Sequence, residues 1–124
     1  MDKLILSSLP KTWILDLDGT IVKHNGYKLD GIDTLLEGAK NFLNSIDDDD
    51  MIIFVTSRTQ EAAEMTEKFL HENGIRFDTI IYGAPYGERI LLNDDKPNGL
   101  RMCYGIRKER DSVEYPFFLK DFSL

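Results

Sequence analysis

Short apolar runs alternate along the chain with segments of helical period. Thr12-Trp13-Ile14-Leu15 is a β-rich apolar run that stops where the turn formers of Asp16-Leu17-Asp18-Gly19-Thr20 begin, which predicts a buried strand ending in a loop. From Thr34 the period changes. Leu35, Leu36, Ala39, Phe42, Leu43 and Ile46 fall on one helical face, with Thr34 and Glu37 as a capping box at its start. Four consecutive acids, Asp47 to Asp50, then predict an exposed turn, because like charges repel and are best solvated.

Met51 to Val55 is a second continuous apolar run of strand length, ending at Thr56-Ser57-Arg58-Thr59. Ser57 or Thr59 can cap a following helix whose buried side carries Ala62, Thr66, Phe69 and Leu70 and whose end is marked by Asn73-Gly74. Thr79 to Tyr82 and Ile90-Leu91-Leu92 read as third and fourth strands. Pro97-Asn98-Gly99 turns the chain, and Leu100, Met102, Tyr104 and Ile106 alternate with polar or small residues as an edge strand would. Strands alternating with helices predict β-α-β units: an α/β fold, a doubly wound parallel sheet in a three-layer α/β/α sandwich.

Composition narrows the functional classes. At 124 residues, 42% hydrophobic and 30% charged, residues 1–124 have the size and apolar content of one globular domain. The net charge is −7 and no basic stripe exists, so a nucleic-acid or anionic-membrane surface is not expected. No run approaches the ~18 apolar residues of a membrane span, the first ten residues do not read as a signal peptide, and a cytoplasmic protein is the expectation. Cys103, the single cysteine, reads as a small half-buried apolar side chain, and His24 and His71 as solvated surface.

Three segments end apolar runs with polar punctuation: Asp16 and Asp18, Thr56 and Ser57, and Asp94 and Asp95. In an open parallel sheet the carboxyl ends of the strands converge on the ligand crevice, so these residues are expected to meet there. Four carboxylates in one place need protons or a hard cation between them. Oxygen ligands without His or Cys favour Mg²⁺, which commonly binds through carboxylates and a substrate phosphate and would let an anionic ligand approach an acidic chain.

Asp16-Leu17-Asp18-Gly19-Thr20 after an apolar strand resembles the first motif of the haloacid dehalogenase superfamily, whose phosphatases work through an aspartyl-phosphate intermediate. Thr56 and Asp94-Asp95 are similar in order and spacing to its second and fourth motifs, so the resemblance runs from about residue 12 to 97. It implies Asp16 as nucleophile and Asp18 as general acid/base. Gly19, Thr56, Ser57, Arg58 and Lys96 would hold the phosphoryl group, and Asp16, Asp18, Asp94 and Asp95 would be the Mg²⁺ ligands. The cation of the third motif has no obvious counterpart, since Ala84 stands where relatives often carry lysine. Lys68 lies over ~10 Å along its helix. Arg89, five residues before Asp94 on an extended chain, would sit roughly 16 Å below the site. Arg58 and Lys96 adjoin site segments and are the better candidates.

About 35 residues separate Thr20 from Thr56, which leaves no room for a cap domain. By resemblance, a capless member acts on large substrates, or closes its open site with a neighbouring subunit, so a homo-oligomer is one expectation. The aromatic tail from Tyr115 to Leu124 either serves such a contact or packs on its own core. The expected activity is hydrolysis of a phosphorylated small molecule or larger phosphorylated substrate, for instance a sugar phosphate of bacterial envelope synthesis. The rival is an inactive domain of the same fold that binds Mg²⁺ or a phosphorylated ligand. A signalling receiver domain would need its phosphoacceptor Asp where this chain has Thr56.

Overall fold

A computed structural model describes Met1 and residues 3–124. The chain forms a mixed α/β structure with parallel sheets. In order it runs β1 (Lys3–Leu6), β2 (Thr12–Asp16), α1 (Gly26–Leu29), α2 (Ala39–Asn44), β3 (Met51–Val55), a 3-10 turn (Gln60–Ala62), α3 (Ala63–Glu72), β4 (Thr79–Ile81) and β5 (Phe117–Lys120). One sheet has the order β2-β3-β4, and β1 and β5 make a second of two strands. The strands named here pair in parallel, with Asp16 beside Val55 and Val55 beside Ile81 at the carboxyl ends.

The β-rich runs at 12–16, 51–55 and 79–81 become strands because each meets a partner edge and a core. Trp13, Ile52 and Phe54 point to one face of the three-stranded sheet and are buried with Phe42, Leu43 and Leu70. The opposite face carries Ile14, Met51 and Ile81, which remain about half exposed. Continuous apolar runs imply two covered faces, yet the face with Trp13, Ile52 and Phe54 is buried and the other is half open. No helix among the described residues is long and apolar enough to cross a membrane.

Several expected elements change. The helix predicted from Thr34 begins at Ala39, behind Gly38 in a left-handed conformation, and the Thr34–Glu37 capping box does not form. The backbone of 34–36 is drawn elsewhere: Lys23 N–H donates to the Thr34 carbonyl, and Leu36 N–H donates to that of Ile21. Neither Ser57 nor Thr59 caps the next helix through its side chain, although α3 does end at Asn73-Gly74. Asp47 to Asp50 do turn the chain, but Asp50 is buried, accepting from the Trp13 indole at 3.0 Å and from Lys11 N–H at 2.9 Å.

Ile90-Leu91-Leu92 and the alternating run from Leu100 to Ile106 form no strand. A strand needs a ladder partner, and this segment does not join the free edge of β2, so Ile90 and Leu92 stay almost fully exposed. The turn at Pro97-Asn98-Gly99 is present, with Gly99 N–H bonded to the Lys96 carbonyl at 2.8 Å. The aromatic tail packs on its own core through Tyr115 and Phe118. Tyr115 stacks on Phe42 at 5.3 Å between centroids and Phe118 lies against Trp13 at 5.1 Å, while Phe117 and Phe122 face solvent.

Candidate functional site

β2 and β3 end side by side, and the loops that leave their carboxyl ends wall an open cavity of about 620 Å³. After β2 the chain winds tightly, with the amides of Thr20, Ile21 and Val22 all donating to the Leu17 carbonyl. Gly19 sits in that turn at φ 83, a left-handed conformation that glycine adopts without a Cβ penalty. Its amide, expected to hold a phosphoryl oxygen, is instead spent on the Val22 carbonyl at 2.7 Å.

Asp16 projects from the end of β2. Its Oδ2 accepts from the Thr20 hydroxyl at 2.9 Å and its Oδ1 accepts from Arg89 Nη1 at 2.8 Å. Arg89 therefore stands where the chain lacked an obvious cation. The extended strand that would have kept it away is absent, and the loop after Gly83 bends over the ends of β2 and β3. Ser57 lies on the same side, its hydroxyl donating to the Pro85 carbonyl at 3.4 Å and receiving Arg89 Nη2 at 3.5 Å.

Arg58 is not the expected phosphate ligand. Its side chain is 1% exposed and all five N–H groups are used. Nε and Nη2 grip both oxygens of Asp18 at 3.0 and 2.8 Å. Nη2 and Nη1 grip both oxygens of Asp33 at 2.7 and 2.9 Å, and Nη1 also donates to the Thr66 hydroxyl at 2.9 Å. The Tyr27 ring stacks on the guanidinium at 4.1 Å. Burial opposes the charge, but the hydrogen bonds to Asp18 and Asp33 outweigh it and hold the guanidinium's pKa above its usual value. Arg58 thus ties the Asp18 turn, the loop at Asp33 and α3 together. Asp33 was hidden in the sequence as one more polar residue of a Gly-containing turn. Thr66, a hydroxyl on the buried face of a helix, was the available signal.

Thr56 is buried at the end of β3, lines the cavity and accepts the Arg58 amide at 3.1 Å. Lys96, Asp94 and Asp95 do not line the cavity. Without the strand at 90–92 nothing carries them to the ends of β2 and β3, and the side chain of Asp95 accepts from Met102 N–H at 3.3 Å. Mg²⁺, which the resemblance implies, does not fit this arrangement. Asp16 is engaged by Arg89 and Thr20, Asp18 by Arg58, and no group of three or more acidic, His or Cys side chains among the described residues could hold a metal ion.

The cavity is instead rich in cations. Lys28, Arg58, Arg89, Lys108 and Arg110 line it against Asp16 and Asp18, an inversion of the −7 carried by the whole chain. Lys108 donates to the carbonyl and hydroxyl of Ser112 and lies over the Tyr115 ring; burial pulls its ammonium below its usual range, against the opposing pull of Asp111 and Glu114. These basic residues escape a reading of the sequence because they are scattered over 28–110 and form no stripe. No known protein family, curated protein or solved structure matches this chain.

Proposed function

We propose that this cavity is a phosphate site and that the chain hydrolyses phosphomonoesters through an aspartyl-phosphate formed on Asp16. The observation that carries the reading is the Asp16–Arg89 pair, a carboxylate at the carboxyl end of a parallel strand held by a guanidinium that can also meet a phosphoryl oxygen. An oxygen of Asp16 attacks phosphorus, the bond from phosphorus to the ester oxygen breaks, and the alcohol leaves with a proton drawn from solvent. Water then attacks phosphorus, releasing inorganic phosphate and restoring Asp16. Arg89 offsets the charge of both partners as they approach. The haloacid dehalogenase likeness, with its three-layer core, belongs to the same proposal and is supported by Asp16-Leu17-Asp18-Gly19-Thr20 at the end of β2 and Thr56 at the end of β3.

A second reading, a phosphate-binding domain without turnover, is favoured by Asp18. Both its oxygens are engaged by Arg58, so it is not free to protonate a leaving group as the resemblance implies. A panel of phosphomonoesters, tried with and without Mg²⁺, separates the two. The expected result is phosphate release that Asp16→Asn abolishes. Binding without release on every substrate would favour the second reading, and release untouched by Asp16→Asn would contradict the role of Asp16.

A further inference from the structure

We propose that Lys28 and Arg110, with His24 on the same cavity wall, form a second anion position, so that the ligand carries a further anionic group besides its phosphate. This rests on the phosphate-site reading and extends it from a phosphate to a two-headed small molecule.

Arg110 is seated rather than trailing. Asp111 N–H donates to the Gly19 carbonyl at 2.9 Å, Asp111 Oδ1 accepts His24 N–H at 2.8 Å, and the Tyr115 hydroxyl donates to the Thr20 carbonyl at 2.6 Å. The Arg110 side chain packs against the open side of Gly19, its Cγ 3.1 Å from where a Cβ would sit. The segment carrying Arg110 is therefore fastened to the turn that follows Asp16. The other cations of the cavity have partners: Arg58 holds Asp18 and Asp33, Arg89 holds Asp16, and Lys108 holds Ser112. The guanidinium of Arg110 and the ammonium of Lys28 make no hydrogen bond or ion pair among the described residues. His24 lines the cavity with them, its Cβ and the Arg110 Cγ both lying close to Gly19. The volume also fits, since about 620 Å³ is in the range of sites for whole metabolites and far more than one phosphate needs.

The shared chemistry is a second anion on one small molecule, either a phosphate or a carboxylate, and two pairs of probes tell them apart. Calorimetric titration compares phosphate with pyrophosphate, and methylphosphonate with phosphonoacetate. The wild type is expected to bind at least one two-headed probe about tenfold or more tightly than its one-headed counterpart. Lys28→Gln with Arg110→Gln should bring that ratio near one. Lys3→Gln with Lys68→Gln, the same charge change on exposed sites elsewhere, should keep the ratio. Equal affinities in both pairs, a ratio that survives the Lys28/Arg110 change, or an equal loss in the Lys3/Lys68 control would overturn the second position. A wild type that binds none of the four probes would overturn the phosphate site itself.

Discussion

Arg89 Nη1 lies 2.8 Å from Asp16 Oδ1, although 73 residues separate the two in the chain. Both side chains are about 40% exposed, and an ion pair as wet as this adds only ~0–1 kcal/mol to folding. Its consequence lies in the site, where the guanidinium orients the carboxylate and brings positive charge to the place where phosphate would sit. Arg89→Gln should therefore weaken phosphate binding by about 10- to 100-fold while leaving the urea midpoint almost unchanged. Parallel titration calorimetry and urea denaturation check both halves. A large loss of stability with intact phosphate binding would assign Arg89 to the fold instead.

Arg58 should behave in the opposite way. Its guanidinium and the carboxylate of Asp33 are almost wholly buried, and removing one partner strands the other in a dry interior. Arg58→Gln and Asp33→Asn are each expected to cost about 3–5 kcal/mol in urea denaturation. Arg58→Lys should rescue little, because an ammonium cannot reproduce the fork that meets Asp18, Asp33 and Thr66 together.

Asp50 makes the same point on a smaller scale. Asp50→Ala would leave the Trp13 indole N–H and the Lys11 amide without their acceptor, at a cost of about 1–3 kcal/mol. Trp13 is the single tryptophan, so its fluorescence reports both the unfolding midpoint and the local change.

Burial pushes the Tyr115 hydroxyl up to about 12. The native state then holds this proton more tightly than the unfolded chain, where tyrosine titrates near ~10. The resulting stability is full below roughly pH 10 and is lost as the pH climbs towards roughly 12. Wild-type stability should fall more steeply over that window than that of Tyr115→Phe, measured by urea midpoints. Tyr82, pushed higher still by burial and by its hydrogen bond to Glu67, is present in both proteins and sets the common background.

Much of the fold is legible along the chain where local pattern and tertiary partner agree. The strands at 12–16 and 51–55, the helix ending at Asn73-Gly74, and Asp16 and Thr56 at neighbouring strand ends all follow from apolar runs and their punctuation. The pattern fails where the partner is missing or remote. Ile90-Leu91-Leu92 has the composition of a strand but joins neither free edge of the sheet, so Asp94, Asp95 and Lys96 are not delivered to the cavity and Arg89 reaches Asp16 through a bent loop. The Arg58 clamp joins residues 25 and 40 positions apart, a relation that no periodicity records. Asp50 reads as one of four solvated acids until the Trp13 indole is placed against it.

The covalent role of Asp16 is tested most directly by acid-quenching the chain after incubation with acetyl phosphate and locating any phosphoryl adduct by peptide mass spectrometry. The expected result is one adduct on the peptide that contains Asp16, absent from Asp16→Asn. No adduct in the wild type, or an adduct that persists in Asp16→Asn, would contradict it.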